Sequence, residues 1–213
     1  GLKLVLAILA GFLPAAVIGL LLNDWIEEKL YHFKWIAWAW LVGGIGILAV
    51  DRWMKKGGGT RGRELAEITL KMAFLVGLMQ CVAMWPGTSR SLMTIVGGVL
   101  VGLRLSAAVE FSFLLGLLTL SAATAKKAAW PIEGLGEKYD TLFGGTLLMW
   151  DHYGFVPLAV GVIAATASAA FAVKWMVGYL NRRGLGVFGW YRIAAAGAAA
   201  IMIATNFLGL AHG

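Results

Sequence analysis

Long apolar runs alternate with short polar breaks along this chain, and the runs have the length of membrane spans. Residues 4–22 are apolar with Gly11 and Pro14 inside, and residues 35–50 form a tryptophan-rich run carrying Gly43, Gly44 and Gly46. Further runs cover 105–125, 153–180 and 188–210, the last interrupted only by Tyr191-Arg192 near its start. A helix needs about 20 apolar residues to cross a hydrocarbon core of about 30 Å, so the pattern predicts about five transmembrane helices. Between them lie a mixed-charge loop at 23–34, a basic loop at 51–63 and a polar loop at 128–152.

The stretch 67–104 departs from this rhythm. It is too long for one span and is broken by Pro86-Gly87. Proline removes an amide and disfavours helix at the residue before it. Two half-helices meeting at a polar break read as a re-entrant hairpin, because irregular backbone at membrane depth persists only where it lines protein or a water-filled cavity. The whole chain, 1–213, reads as one all-α integral membrane domain of five spans plus this re-entrant pair.

Composition agrees with that class. Hydrophobic residues make up 60% of the 213 and charged residues only 14%, against about a quarter charged in a soluble domain. Mean hydropathy is +0.81. The formal charge of +7 would suggest nucleic acid in a soluble protein, but five of the basic residues sit in the short 51–63 loop. Such clustering is the orientation signal of membrane proteins and places that loop in the cytoplasm. A hairpin at 67–104 then puts Arg182-Arg183 on the same side and the C-terminus outside, with only Lys126-Lys127 against the rule. The single Cys81 excludes an intrachain disulfide and reads as a small packing residue. The chain opens Gly1-Leu-Lys-Leu without a methionine. Its first apolar run lacks a small-residue cleavage site, so it does not read as a signal peptide, and the sequence reads as a piece of a longer parent.

The chemistry concentrates at Pro86-Gly-Thr-Ser-Arg-Ser-Leu-Met-Thr94. An arginine at membrane depth costs roughly 2.5–3.5 kcal/mol on insertion scales, and such a residue is a functional-site hypothesis by default. Proline at a first helical position followed by hydroxyl residues is a helix-start signal, and the free amides of a first turn are a ready anion site. Arg90 adds a planar fork able to grip two phosphate oxygens. Thr94 lies one turn beyond Arg90 on the same face, with Ser89 and Ser91 flanking the arginine. The plainer alternative is a capped helix whose arginine reaches for the interface; the convergence of three hydroxyls and a Pro-Gly break on one arginine favours phosphate.

Other polar residues in apolar runs leave alternatives open. Gln80 either faces the same cavity or makes a helix–helix hydrogen bond. Glu110 could ligate a metal, take a proton or pair with an arginine. Arg192 either supports the site or anchors its helix at the interface. Gly97, Gly98 and Gly102 read as close-packing positions, and His32, His152 and His212 as surface residues. The sequence shows no P-loop, no metal-ligand spacing and no Cys/His pair. No second buried carboxylate stands near the patch to act as a general base.

At these residues the chain resembles the bacterial undecaprenyl-pyrophosphate phosphatases of the bacitracin-resistance family. That family carries Pro-Gly-x-Ser-Arg-Ser-x-x-Thr, matched by Pro86, Gly87, Ser89, Arg90, Ser91 and Thr94. The likeness extends through Gln80-Cys81, Glu110-Phe-Ser-Phe-Leu-Leu115 and Tyr191-Arg192. Leu92 stands where many members have glycine. The family is built as an inverted repeat whose first half brings a Glu-x-x-x-Glu stretch and a Ser-Ser-Thr-Gly-His segment; neither precedes the Pro-Gly motif here.

The resemblance implies hydrolysis of a polyprenyl diphosphate to the monophosphate at the bacterial inner membrane, recycling the lipid carrier of cell-wall synthesis. Arg90, Ser89 and Thr94 would act on the transferred phosphoryl group, while Pro86, Gly87, Thr88, Ser91 and Gln80 would bind substrate. Glu110 and Arg192 would support them. A divalent cation, magnesium or calcium, is implied without a visible ligand set. The implied partners are the prenyl lipid and the membrane, with a homodimer left open and no nucleic acid. By this resemblance the chain holds the phosphate-gripping half of the site and lacks the other half. A transporter or flippase for an anionic lipid is the rival from another class, because broken helices and inverted repeats are also transporter architecture. A lipid-binding remnant without catalysis is the third reading.

Overall fold

Helices make up most of the described backbone: α1 (Leu2–Leu30), α2 (Phe33–Trp53), α3 (Leu70–Val82), α4 (Arg90–Leu100), α5 (Leu105–Ala129), α6 (Gly144–Tyr153), α7 (Phe155–Arg183) and α8 (Gly186–Ala204). The computed structural model describes residues 1–58, 62–129 and 140–205, and no strand occurs among them. Five stretches are long and apolar enough to cross a membrane: Leu2–Leu22, Phe33–Gly57, Leu105–Ala129, Phe155–Leu180 and Gly186–Ala204. The protein is an all-α, multi-pass membrane protein.

Several expected loops are shorter than the polarity pattern implied. The mixed-charge stretch after residue 22 is absorbed by α1, which runs through Leu30. That stretch, Asn23-Asp-Trp-Ile-Glu-Glu-Lys-Leu30, lacks glycine and proline, and an already nucleated helix propagates through such residues. The basic loop expected at 51–63 begins as the last turn of α2 and continues as a wider turn, Met54–Gly58, bent at Gly57 (φ 100°). The polar stretch 128–152 holds the end of α5 and nearly all of α6, while residues 130–139 lie outside the described residues. By its internal contacts the chain forms two compact units, Gly1–Leu115 with the chain from Val177 onward, and Gly116–Met176.

In the first unit, helices meet where small residues let backbones approach. Lipid tails are as apolar as leucine, so van der Waals contact and polar bonds hold such helices together. A Cβ added to Gly77 of α3 would collide with the Gly11 carbonyl oxygen of α1. One on Gly44 of α2 would lie 2.9 Å from the Gly189 carbonyl oxygen of α8. Gly97 fits α4 against Met79 of α3, and Gly98 fits it against Ala108 of α5. Gly102 differs from its expected packing role: nothing lies within 4 Å of its Cβ position and its φ of 99° shapes the turn after α4.

The two ends of the α3–α4 pair are tied together. Arg63 N donates to the Gly102 carbonyl at 2.9 Å, and Arg104 N donates to the Arg63 carbonyl at 3.0 Å. Arg104 Nη1 also pairs with Glu64 Oε1 at 2.7 Å. With 13 and 11 residues, α3 and α4 reach roughly 20 and 16 Å at about 1.5 Å per residue. Each falls well short of a span of about 30 Å. The pair therefore folds back on itself, with its two outer ends side by side.

A second tie holds α8 to α2. Asp51, 4% exposed near the end of α2, accepts a 2.9 Å hydrogen bond from Leu185 N and pairs with Lys55 Nζ at 2.7 Å. Leu185 is the residue before α8, so the carboxylate satisfies an open amide at a helix start and complements its dipole. The glycines on either side of Leu185 make room for it: a Cβ on Gly184 or Gly186 would lie 2.7 or 2.8 Å from an Asp51 oxygen.

In the second unit, α6 starts against the end of α5, where Phe143 N donates to the Ala129 carbonyl at 3.0 Å and Thr146 Oγ1 to the Ala128 carbonyl at 3.1 Å. The apolar window of α7 contains no buried residue, as expected of a helix whose solvent is lipid.

Two tests follow from these ties. In a Cys81→Ser background, cysteines placed singly at Glu64 and Arg104 should react with an impermeant maleimide from the same face of a sealed vesicle; reaction from opposite faces would refute the hairpin. For the second tie, Asp51→Ala should destabilise the detergent-solubilised chain by about 1–3 kcal/mol, the range for leaving a buried donor unmet. Asp51→Asn, which keeps an acceptor for Leu185 N, should lose clearly less. Equal melting temperatures for Asp51→Ala and wild type would remove Asp51 from this role.

Candidate functional site

The polar break between α3 and α4 is a tight turn followed by a capped helix. Thr88 N donates to the Trp85 carbonyl at 3.0 Å, with Pro86 and Gly87 between them. Gly87 has φ 91°. Proline second and a positive-φ glycine third are what a type II turn requires. A Cβ on Gly87 would also lie 2.9 Å from Ile36 Cγ2, so both backbone conformation and space demand glycine. Pro86 therefore shapes the turn and does not open the helix, contrary to the expected helix-start role. The helix opens at Arg90, and Ser89 caps it by accepting from Leu92 N at 3.4 Å.

The hydroxyls divide into outward and inward sets. Thr88 Oγ1 donates to the Trp85 carbonyl at 2.6 Å, closing the turn. Thr94 is 2% exposed; its Oγ1 lies 2.6 Å from Ser112 Oγ of α5 and donates to the Arg90 and Ser91 carbonyls at 3.0 and 3.1 Å. Ser112 Oγ donates to the Ser91 carbonyl at 3.3 Å. Thr94 thus braces the backbone of the first turn against α5. Ser91 is exposed and Ser89 partly so. Leu92 N and Met93 N are taken by Ser89, which leaves the amides of Arg90 and Ser91 without an acceptor among the described residues. These are the open donors of a helix start.

Two arginines reach this break. Arg90 is partly buried, and its Nη1 is buried without a partner. Arg192, 6% exposed on α8, lies over Gly43 of α2 and donates from Nη2 to the Gly87 carbonyl, while its Nε is buried without a partner. Among the described residues no carboxylate pairs with either one. Beside the turn lies a cavity of about 360 Å³ lined by Gly87, Ser89 and Leu92 from the break, Trp40 from α2, and Phe188, Tyr191, Arg192 and Ala195 from α8. Gln80 is 2% exposed on α3, and both of its amide atoms lack a partner. Glu110 is exposed and makes no ion pair among the described residues.

No group of three His, Cys, Asp or Glu side chains gathers among the described residues. The described residues by themselves supply no three-ligand cluster of these types for a divalent cation. Glu133 and Glu137 have a Glu-x-x-x-Glu spacing, but they lie outside the described residues. Sequence reasoning missed Ser112 and the wall formed by Trp40, Leu92 and Phe188. Ser112 carried a signal, a lone hydroxyl between two phenylalanines in an apolar run. Trp40 and Phe188 carried none, because one aromatic residue among many lipid-facing ones looks like the rest.

Comparison with known proteins bears on this geometry. A family model described as bacitracin resistance protein BacA matches residues 1–198. A relative from Sorangium cellulosum, named undecaprenyl-diphosphatase, is 39% identical over 193 residues, covering 91% of this chain and 59% of the relative. One of the same name from Flavobacterium psychrophilum is 40% identical over 188 residues, covering 88% of this chain and 65% of the relative. One from Rhodospirillum rubrum, named undecaprenyl-diphosphatase 2, is 38% identical over 208 residues, covering 98% and 68%. The chain thus spans about three fifths to two thirds of the length of these relatives. With a match over nearly its whole length, the chain belongs to the bacitracin resistance protein BacA family.

Proposed function

We propose that this chain supplies the phosphate-gripping part of a hydrolase site that converts a polyprenyl diphosphate to its monophosphate at the bacterial inner membrane. The observation that carries the reading is two buried or partly buried guanidiniums at one polar break, each with a buried nitrogen lacking a partner and neither paired with a carboxylate among the described residues. Such cations are stabilised by an anionic ligand. The names of the relatives, undecaprenyl-diphosphatase, supply the ligand class, and the apolar helices around the break suit a prenyl tail.

In hydrolysis, water forms a bond to the terminal phosphorus while the bridging P–O bond breaks, and negative charge gathers on the phosphoryl oxygens and the bridging oxygen. Arg90 and the open amides of Arg90 and Ser91 stand where that charge would be met, and preorganised donors of this kind supply the main catalytic term in phosphoryl transfer. Ser89 adds a hydroxyl beside them. Thr94 and Ser112 keep the first turn of α4 in place. The group that takes the proton from water comes from elsewhere in the protein, since no carboxylate or histidine adjoins Ser89–Thr94 in sequence. By resemblance a divalent cation would help neutralise the diphosphate.

The test is a chimera in which this chain replaces the matching portion of the Rhodospirillum rubrum relative. It should release phosphate from farnesyl diphosphate in detergent. Arg90→Lys should cut that release by about a hundredfold or more, because lysine keeps the charge but loses the planar fork. Near-normal turnover by Arg90→Lys at matched expression would contradict the clamp. Movement of the lipid across vesicles with no phosphate release would favour a transporter.

A further inference from the structure

Two cations at one break raise the question of why a single diphosphate site would need both. Their surroundings differ. Arg90 is the first residue of α4, beside Ser89, Ser91 and two open amides, and it does not line the cavity. Arg192 does line it, together with Trp40, Leu92, Phe188, Tyr191 and Ala195. One guanidinium therefore belongs to a helix start with open amides and has a buried, unpartnered Nη1, and the other lines an apolar, aromatic cavity.

Resting on the diphosphate reading above, we infer that the two arginines divide the substrate: Arg90 holds the terminal phosphate that is released, and Arg192 holds the phosphate that stays on the lipid. A prenyl diphosphate carries its apolar tail on one phosphate only. That phosphate must sit beside apolar walls, and the cavity around Arg192 offers them. Arg192 is fixed for this role. Its Nη2 is anchored on the Gly87 carbonyl and its guanidinium lies over Gly43, while Nε remains buried and unpartnered. Anchoring through one nitrogen leaves others for the ligand, since a guanidinium carries five N–H donors. Ser89 lies between the two environments, next to Arg90 in sequence and on the wall of the cavity. Its position suits the bridging oxygen, on which charge collects as the P–O bond breaks. The reaction balances as water plus prenyl diphosphate giving prenyl monophosphate plus inorganic phosphate, with the monophosphate left on Arg192.

The division makes Arg192 a determinant of product affinity and Arg90 a determinant of terminal-phosphate affinity. Leu92 and Ala195 set the room for the first carbons of the tail.

The experiment measures equilibrium binding of farnesyl monophosphate, farnesyl diphosphate and farnesol to the 213-residue chain in nanodiscs of neutral lipid. Wild type should bind both phosphates and prefer each to farnesol. Arg192→Lys should weaken both phosphates about tenfold, whereas Arg90→Lys should weaken the diphosphate about tenfold and the monophosphate less than twofold. Ala195→Phe, which fills the cavity and spares both guanidiniums, should also weaken both phosphates about tenfold. Circular dichroism melts should confirm that each variant is folded; if Arg192→Lys melts early, Ala195→Phe carries the test. Equal loss of monophosphate binding in Arg90→Lys and Arg192→Lys would overturn the division, as would monophosphate binding untouched by Ala195→Phe. Failure of wild type to prefer either phosphate over farnesol would instead overturn the diphosphate reading itself.

Discussion

Two guanidiniums placed at one polar break between apolar helices, without carboxylate partners among the described residues, set the terms for the rest of this structure. Each carries an insertion cost of roughly 2.5–3.5 kcal/mol, and each has a buried nitrogen with no acceptor among the described residues. Had Glu110 paired with one of them, the break would hold a neutral structural ion pair. Glu110 is instead exposed. The positive charge without a carboxylate partner among the described residues, the open amides of a helix start and the outward hydroxyls of Ser89 and Ser91 are the features on which the proposed phosphate site rests.

Keeping two cations at one turn demands close and rigid packing around it. Gly44 and Gly189 let α8 lie against α2 at backbone contact, and Asp51 fixes the start of α8 through Leu185 N. Along that helix the same arrangement delivers Arg192 to the Gly87 carbonyl. On the other side, Thr94 and Ser112 join α4 to α5 beneath the first turn, and the Arg63–Leu103 bridge closes the hairpin at its base. Small residues and a few polar bonds do the work that hydrophobic burial does in water.

Much of this was legible in the sequence because the governing signals are local. Apolar runs of span length gave the five long helices, and Pro86-Gly87 marked the interruption between α3 and α4. The local role of Pro86 was harder to read. A proline near hydroxyls fits both a helix's first residue and a type II turn, and only the positive φ of Gly87 and the bond from Thr88 N to Trp85 decide between them. Polarity also misplaced boundaries: charged residues at the end of α1 looked like a loop, although Glu and Lys are good helix formers. Long-range roles left no local trace. Asp51 read as the first residue of a basic loop, yet its partner Leu185 lies 134 residues away. Arg192 was visible as an intramembrane arginine, but its meeting with Gly87, 105 residues distant, depends on how α2 and α8 pack.

The central claim is that both guanidiniums form an anion site at the Pro-Gly break, and arginine side-chain NMR addresses it directly. With ¹⁵N-labelled chain in nanodiscs and inorganic diphosphate as titrant, the Nε and Nη signals of Arg90 and Arg192 should shift together and saturate at one ligand per chain. Shifts confined to exposed arginines such as Arg52 and Arg104, with Arg90 and Arg192 unmoved, would contradict the account.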